Sequence, residues 1–245
     1  MNARQLLLQL NRDCGGNWDA MYRAIKDRRR VEDEDIAFDH SFATVVDAEY
    51  PEKFKTASKP PFIIFYEGDI KLLDSDNIYM IIGGSRTPYG ITSAVAKLSK
   101  SHVIASYYDN DFDKEILRAC MRNRQKFIIL TSKSLDDLDR SDDVIDYAAK
   151  NGCLILTEYG FESGSGDYAS AMRYRLIVPF LQGVLLASSA GHDPKVSALV
   201  EAVAERSGNV YALPESPFKD SFNNRLIRDG AMLVDSLDDV ATCCQ

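Results

Sequence analysis

The chain has no long hydrophobic run, few histidines and no CxxC motif. In 245 residues no apolar stretch approaches the roughly 20 needed to cross a bilayer. The opening segment MNARQLLLQLNRDCGG lacks the long apolar core of a secretion signal, so the expectation is a cytoplasmic protein without a membrane partner. The five cysteines are Cys14, Cys120, Cys153, Cys243 and Cys244. They are odd in number and form no CxxC pair, which argues against a disulfide framework and against a zinc site. His40, His102 and His192 are the only histidines, and none stands beside a Ser or Cys in a nucleophile motif. A histidine-based catalytic triad is therefore unsupported. There is no internal repeat and no low-complexity segment. No metal and no cofactor is expected.

What is present fits one large α/β domain with a small appendage: 45% of residues are hydrophobic and 27% are charged. The net charge of −8 argues against a protein that coats nucleic acid, but leaves room for a local basic groove. Charge is unevenly spread. Asp136, Asp137, Asp139, Asp142, Asp143 and Asp146 crowd one stretch, read as a solvated face. Arg118, Arg122, Arg124 and Lys126 occupy another that has no acid between 116 and 126.

Residues 1–35 read as a small helical appendage. Leu6, Leu7 and Leu10 form one helical stripe, Gly15-Gly16 breaks it, and Trp18, Met21, Tyr22 and Ile25 form a second. A charge block from Arg28 to Asp35 marks the boundary. Residues 36–245 alternate apolar strand runs with amphipathic helices. Strands are predicted at 62–66, 78–82, 103–106, 127–131, 153–156, 184–187, 210–213 and 231–234. Helices are predicted at 88–100, 112–123, 141–150, 167–180, 193–206 and 222–228, with a last turn at the end. Such alternation predicts an extended Rossmann-like, mostly parallel sheet covered by helices on both faces. Ligands bind such sheets at the C-terminal strand ends.

The sharpest local feature lies at one such end. The run IYMIIGGSRTPYG, residues 78–90, reads as strand, glycine turn and helix start. Gly83, Gly84 and Ser85 expose backbone N–H groups near the positive end of a helix dipole, and Arg86 adds a fixed charge, which suits an anion such as phosphate. The bland alternative is an ordinary strand-to-helix bend in which the glycines only permit the turn.

Several segments then align in order with one family. Tyr50-Pro51-Glu52-Lys53-Phe54, Pro60-Pro61 and Phe65-Tyr66-Glu67-Gly68-Asp69 resemble the entry segment of the DNA-processing protein A (DprA, or Smf) family. Gly84-Ser85-Arg86 with Tyr89-Gly90 resembles its G-[ST]-R…YG turn, and Thr157-Glu158-Tyr159 its "SEyp" strand end. Arg173-Tyr174-Arg175-Leu176-Ile177 resembles its RNRiI motif, Ala212-Leu213-Pro214 its "AvPG", and Asn224-Arg225-Leu226-Ile227 with Gly230-Ala231 its "N-x-LI…GA". The resemblance covers about residues 42–240. It implies a Rossmann-like fold, single-stranded DNA binding without strong sequence preference, a homodimer, and help in loading a recombinase during natural transformation and DNA recombination.

This sequence departs from the family where it carries a glycine-rich SGxAxGID loop. Here the stretch reads Ala105-Ser106-Tyr107-Tyr108-Asp109-Asn110-Asp111-Phe112-Asp113. Side chains and carboxylates stand where glycines would let a phosphate approach. The later loop Ser188-Ser189-Ala190-Gly191-His192-Asp193 is also altered, and Tyr174 replaces the central Asn of RNR.

The expected site is a positive pocket of Gly83, Gly84, Ser85, Arg86, Arg173, Arg175 and Asn224. Arg173 and Arg175 point in different directions, so one can reach a phosphate while the other pairs with a carboxylate such as Glu158. Tyr89, Tyr107 and Tyr174, with Tyr108, are candidates for base stacking, or else structural tyrosines. Arg118 and Arg122 share a helix face, as a solvated surface or a basic extension of the groove. The leading expectation is a non-catalytic single-stranded DNA binder. One alternative is a nucleotide-sensing Rossmann-like protein; hydrolysis of nucleoside monophosphates is disfavoured because the PGGxGTxxE motif of families with that activity is missing. The other is a protein-partner scaffold that has lost nucleic-acid binding, a reading favoured by the acidic replacement of the glycine loop.

Overall fold

The computed structural model describes residues 2–31, 36–84, 87–188, 193–216 and 221–234. Two helices, α1 (Ala3–Asp13) and α2 (Trp18–Lys26), precede the sheet. Then follow β1 (Ser41–Thr44), β2 (Ile63–Glu67), β3 (Ile78–Ile82), α3 (Ile91–Leu98), β4 (Val103–Tyr107), α4 (Asp111–Arg122) and β5 (Phe127–Leu130). The chain continues with α5 (Asp143–Asn151), β6 (Leu154–Thr157), α6 (Gly166–Met172), β7 (Leu181–Leu186), α7 (Pro194–Glu205), β8 (Asn209–Ala212), α8 (Phe222–Arg228) and β9 (Met232–Leu233).

The described strands form one nine-stranded sheet in the order β1-β2-β6-β5-β4-β3-β7-β8-β9. From β6 to β9 every neighbouring pair is parallel. Only β1 with β2 and β2 with β6 run antiparallel. The mostly parallel Rossmann-like sheet expected from the alternation is what forms. β1 was not expected. Its four residues, SFAT, carry no long apolar run, and pairing with β2 makes them a strand.

The central strand runs are mostly apolar because both faces are covered. On one face Tyr79, Ile81, Ile104, Phe127 and Ile129 pack with Ile91, Phe112, Ile116 and Val144 from α3, α4 and α5. On the other, Ile78, Met80, Ile82, Ile128 and Leu130 pack with Tyr50, Phe54, Leu176, Phe180 and Leu199. Alternate residues of one strand thus feed two cores.

The helix predicted at 167–180 does not run its full length. α6 ends at Met172, and tight 3-10 turns follow at Arg173–Leu176 and Val178–Phe180. Pro179 cannot donate a helical hydrogen bond, and it biases Val178 away from the helical region. The terminal helix turn, Cys243 and Cys244 lie outside the described residues, as does the expected boundary at Asp35.

The N-terminal helices dock directly on the sheet. Leu8, Leu10 and Met21 share a core with Phe65. Trp18 stacks on Phe62 with centroids 5.1 Å apart, and its indole N–H donates to the Pro60 carbonyl at 2.7 Å. Buried Asn11 donates to the Glu158 carbonyl at 2.9 Å. Among the described residues no helix is long and apolar enough to cross a membrane.

Candidate nucleic-acid interface

The strand order changes direction at β3. Its chain successor β4 lies on one side and β7 on the other. A crevice opens at such a point, beyond the carboxyl ends of the strands. Here it is a cavity of about 280 Å³, lined by Gly83 and Gly84 after β3, Tyr107 at the end of β4, Asp109 and Asn110 after it, and Asp193 and Lys195 at the start of α7. Asp113 and Arg173 complete its charged wall.

The glycine turn opens onto this cavity, with part of its capacity already used. Gly84 donates its N–H to the Ser188 hydroxyl at 2.9 Å. Gly83 is buried, and a Cβ there would stand 2.6 Å from the Phe112 ring. Packing against Phe112 therefore requires glycine at 83, whatever binds nearby. Ser85 and Arg86 lie outside the described residues.

Among the described residues, Arg173 is the one predicted arginine that reaches the cavity, and it arrives already paired. Its side chain is only 2% exposed. One terminal nitrogen donates to an Asp109 carboxylate oxygen at 2.8 Å, and the other to the second oxygen, in a bidentate pair. Two further donors reach the carbonyls of Leu130 and Ser170, each at 3.4 Å. The guanidinium lies over the Tyr107 ring, 4.4 Å from its centre. Burial opposes the Arg173 charge, but the Asp109 hydrogen bonds and charge outweigh it and raise its pKa.

Arg175 turns the other way. It is buried and donates to Glu158 at 2.6 Å and to the Lys59 carbonyl at 2.7 Å. Its guanidinium sits 5.9 Å from the Trp18 ring centre. Burial raises the Glu158 pKa in spite of this partner. The pair ties the Arg173–Leu176 turn to the end of β6 and to the segment before β2. It does not line the cavity, so the pocket expected to hold both arginines does not form; the two diverge as their spacing implied, and Arg175 takes the carboxylate, Glu158. The 3-10 turn separates their side chains.

Asn224 is also placed elsewhere. Its side-chain carbonyl accepts from the Glu215 N–H at 3.0 Å, and its amide donates back to the Glu215 carbonyl at 3.0 Å. It clamps the loop after β8. Tyr107 is buried beneath Arg173, which occupies one ring face. Tyr174 is half-buried and lines a separate cavity of about 230 Å³ with Thr56, Arg175 and Arg206. Tyr89 is fully exposed, beside the glycine turn. Tyr108 lies under the Lys114 ammonium, 4.9 Å from its ring centre. Arg118 pairs with Asp143 at 2.8 and 2.9 Å and with Glu115 at 3.3 Å. Arg122 is exposed on the same helix, and neither arginine lines the cavity.

The crevice is not the cationic cradle that the motifs suggest. Among its described lining residues, Asp109, Asp113 and Asp193 face Arg173 and Lys195, one negative charge in excess when all are ionised. Asp113 is held by burial, which pushes its pKa up to about 6 even though it accepts from the N–H groups of Asp109 and Asn110. Lys195 was missed in the sequence reading; its place in the first turn of a helix that follows a strand end was the available signal. Trp18 was missed as a neighbour of Arg175, because nothing local ties residue 18 to residue 175.

A doubly wound sheet with a glycine-turn crevice at its switch point defines a Rossmann-like ligand-binding class. The chain belongs to the DNA recombination-mediator protein A family, whose model matches residues 41–245. Comparison with curated proteins gave no match. Among solved structures, DNA processing protein A from Streptococcus pneumoniae is similar, with TM-score 0.70 and 22% identity over 91% of this chain and 80% of that one. DNA processing protein A from Helicobacter pylori is also similar, with TM-score 0.68 and 19% identity over 83% of this chain and 95% of that one. The latter structure was described for its single-stranded DNA binding mode.

Proposed function

We propose that this chain binds single-stranded DNA at the switch-point crevice, as a non-catalytic mediator of DNA recombination. The observation that carries this is the crevice itself: Gly83, Gly84, Arg173 and Lys195 gather at the strand ends of a chain whose family match spans residues 41–245. The single-strand binding mode of the Helicobacter pylori relative supports the same ligand. Tyr89, fully exposed between the glycine turn and α3, is suited to stack on a base, worth about 1–3 kcal/mol. Delivery of the strand to a recombinase, a homodimeric state and a cytoplasmic setting belong to the same reading. The acidic lining implies modest affinity with a shallow salt dependence, since few phosphates are neutralised.

Fluorescence anisotropy with labelled oligo-dT tests the proposal. Saturable binding that weakens with added salt is the expected result. No salt-sensitive shift at up to about 50 µM protein refutes it.

A further inference from the structure

The Asp109 carboxylate occupies the place an incoming phosphate needs. On its protein side Arg173 is held by Nε to Ser170 and one N–H to Leu130, and one face of the guanidinium lies on the Tyr107 ring. Only the outer edge of the guanidinium faces the cavity, and both oxygens of Asp109 cover it. Arg173 is 2% exposed, while the Asp109 side chain is 45% exposed. The fork is therefore hidden by a single group that is itself open to solvent. That group is held in register. Asp113 accepts from the Asp109 N–H at 3.0 Å, and the Asn110 side chain accepts from the Asp113 N–H at 2.9 Å, so a capping box at the start of α4 fixes the loop.

A carboxylate and a phosphate offer the same fork two oxygens in one plane. We infer that Asp109 is a built-in anion that holds the crevice closed to phosphate, and that displacing it converts Arg173 into a phosphate-binding group. The inference deepens the reading of the crevice as a nucleic-acid site and rests on it. Binding is then an exchange in which a phosphate takes the guanidinium edge and the Asp109 side chain swings outward into solvent. A partner cation that engages the half-exposed Asp109 would favour the same exchange.

Inorganic phosphate is the probe, because it reads the fork without any DNA. Thermal unfolding is followed for the full chain in increasing phosphate, with chloride balancing the ionic strength. Wild type is expected to show no phosphate-specific shift. D109A is expected to melt lower without phosphate and to gain about 4 °C or more by roughly 50 mM phosphate. D109A/R173M is expected to lose that gain. If D109A does not fold, D109S, whose short side chain vacates the guanidinium edge, carries the same comparison. In parallel, the same Asp109 variant should bind oligo-dT at least about tenfold more tightly than wild type. A phosphate response that is absent in the Asp109 variants, or that survives loss of Arg173, overturns the inference. Phosphate rescue without oligo-dT binding by any variant would sustain it while refuting the DNA reading; oligo-dT binding without phosphate rescue would do the reverse.

Discussion

Replacing Asp113 by Asn should stabilise the protein at neutral pH. Asp113 is 3% exposed, and burial lifts its pKa from 3.8 to about 6. A carboxyl whose folded pKa is raised contributes its stability below its unfolded pKa and loses it as pH rises through the folded one. At pH 7.5 the group is ionised in both states, and the full penalty of the buried charge applies. Two pKa units correspond to about 3 kcal/mol. Asn keeps an oxygen to accept from the N–H groups of Asp109 and Asn110, now at 3.0 and 3.3 Å, so the capping contact survives. Its amide hydrogens need partners of their own, and Arg173 loses a nearby negative charge, so the expected net gain is about 1–2 kcal/mol. Urea unfolding at pH 4, 5, 6 and 7.5 measures it. Wild-type stability should fall relative to D113N across pH 4–7, with the gap largest at 7.5. If D113N is the less stable at pH 7.5, and the two curves run parallel, the charge on Asp113 is not the cause.

Protonating Asp113 removes one negative charge from the crevice, so oligo-dT affinity should tighten between pH 7.5 and 5.5 in wild type and change less in D113N, as anisotropy at fixed salt will read. R175A or E158A leaves the other charge buried and unpaired and should cost about 3–5 kcal/mol in urea unfolding, whereas R175M/E158L should cost less than either single change. G83A forces a methyl group into the Phe112 ring and should cost about 1–3 kcal/mol by the same assay, whether or not DNA is present.

Most of the sheet was legible from local pattern. Ile78–Ile82 and Phe127–Leu130 are apolar along their whole length, and Leu154–Thr157 up to its last residue, which only burial on both faces explains. Gly83-Gly84 marked the correct strand end. β1 was not legible, because a neighbouring strand decides it, whereas Pro179 was the available signal that the helix predicted at 167–180 would break. Within the site, the acids after β4 were visible, but not which base they would meet. Asp109 and Arg173 are separated by 64 residues; Arg175 and Glu158, 17 apart, were foreseen only as a pairing open to either arginine. No periodicity links such pairs.

The sequence alone therefore determined the layered α/β architecture, the position of the crevice and the family. Those depend on hydrophobic period and glycine placement, which are local. Tertiary structure decided what the arginines do. One is locked to a buried glutamate beneath Trp18, and one faces the crevice across an aspartate. A guanidinium two residues along a tight turn points to a different partner, and only the fold sets which partner waits there.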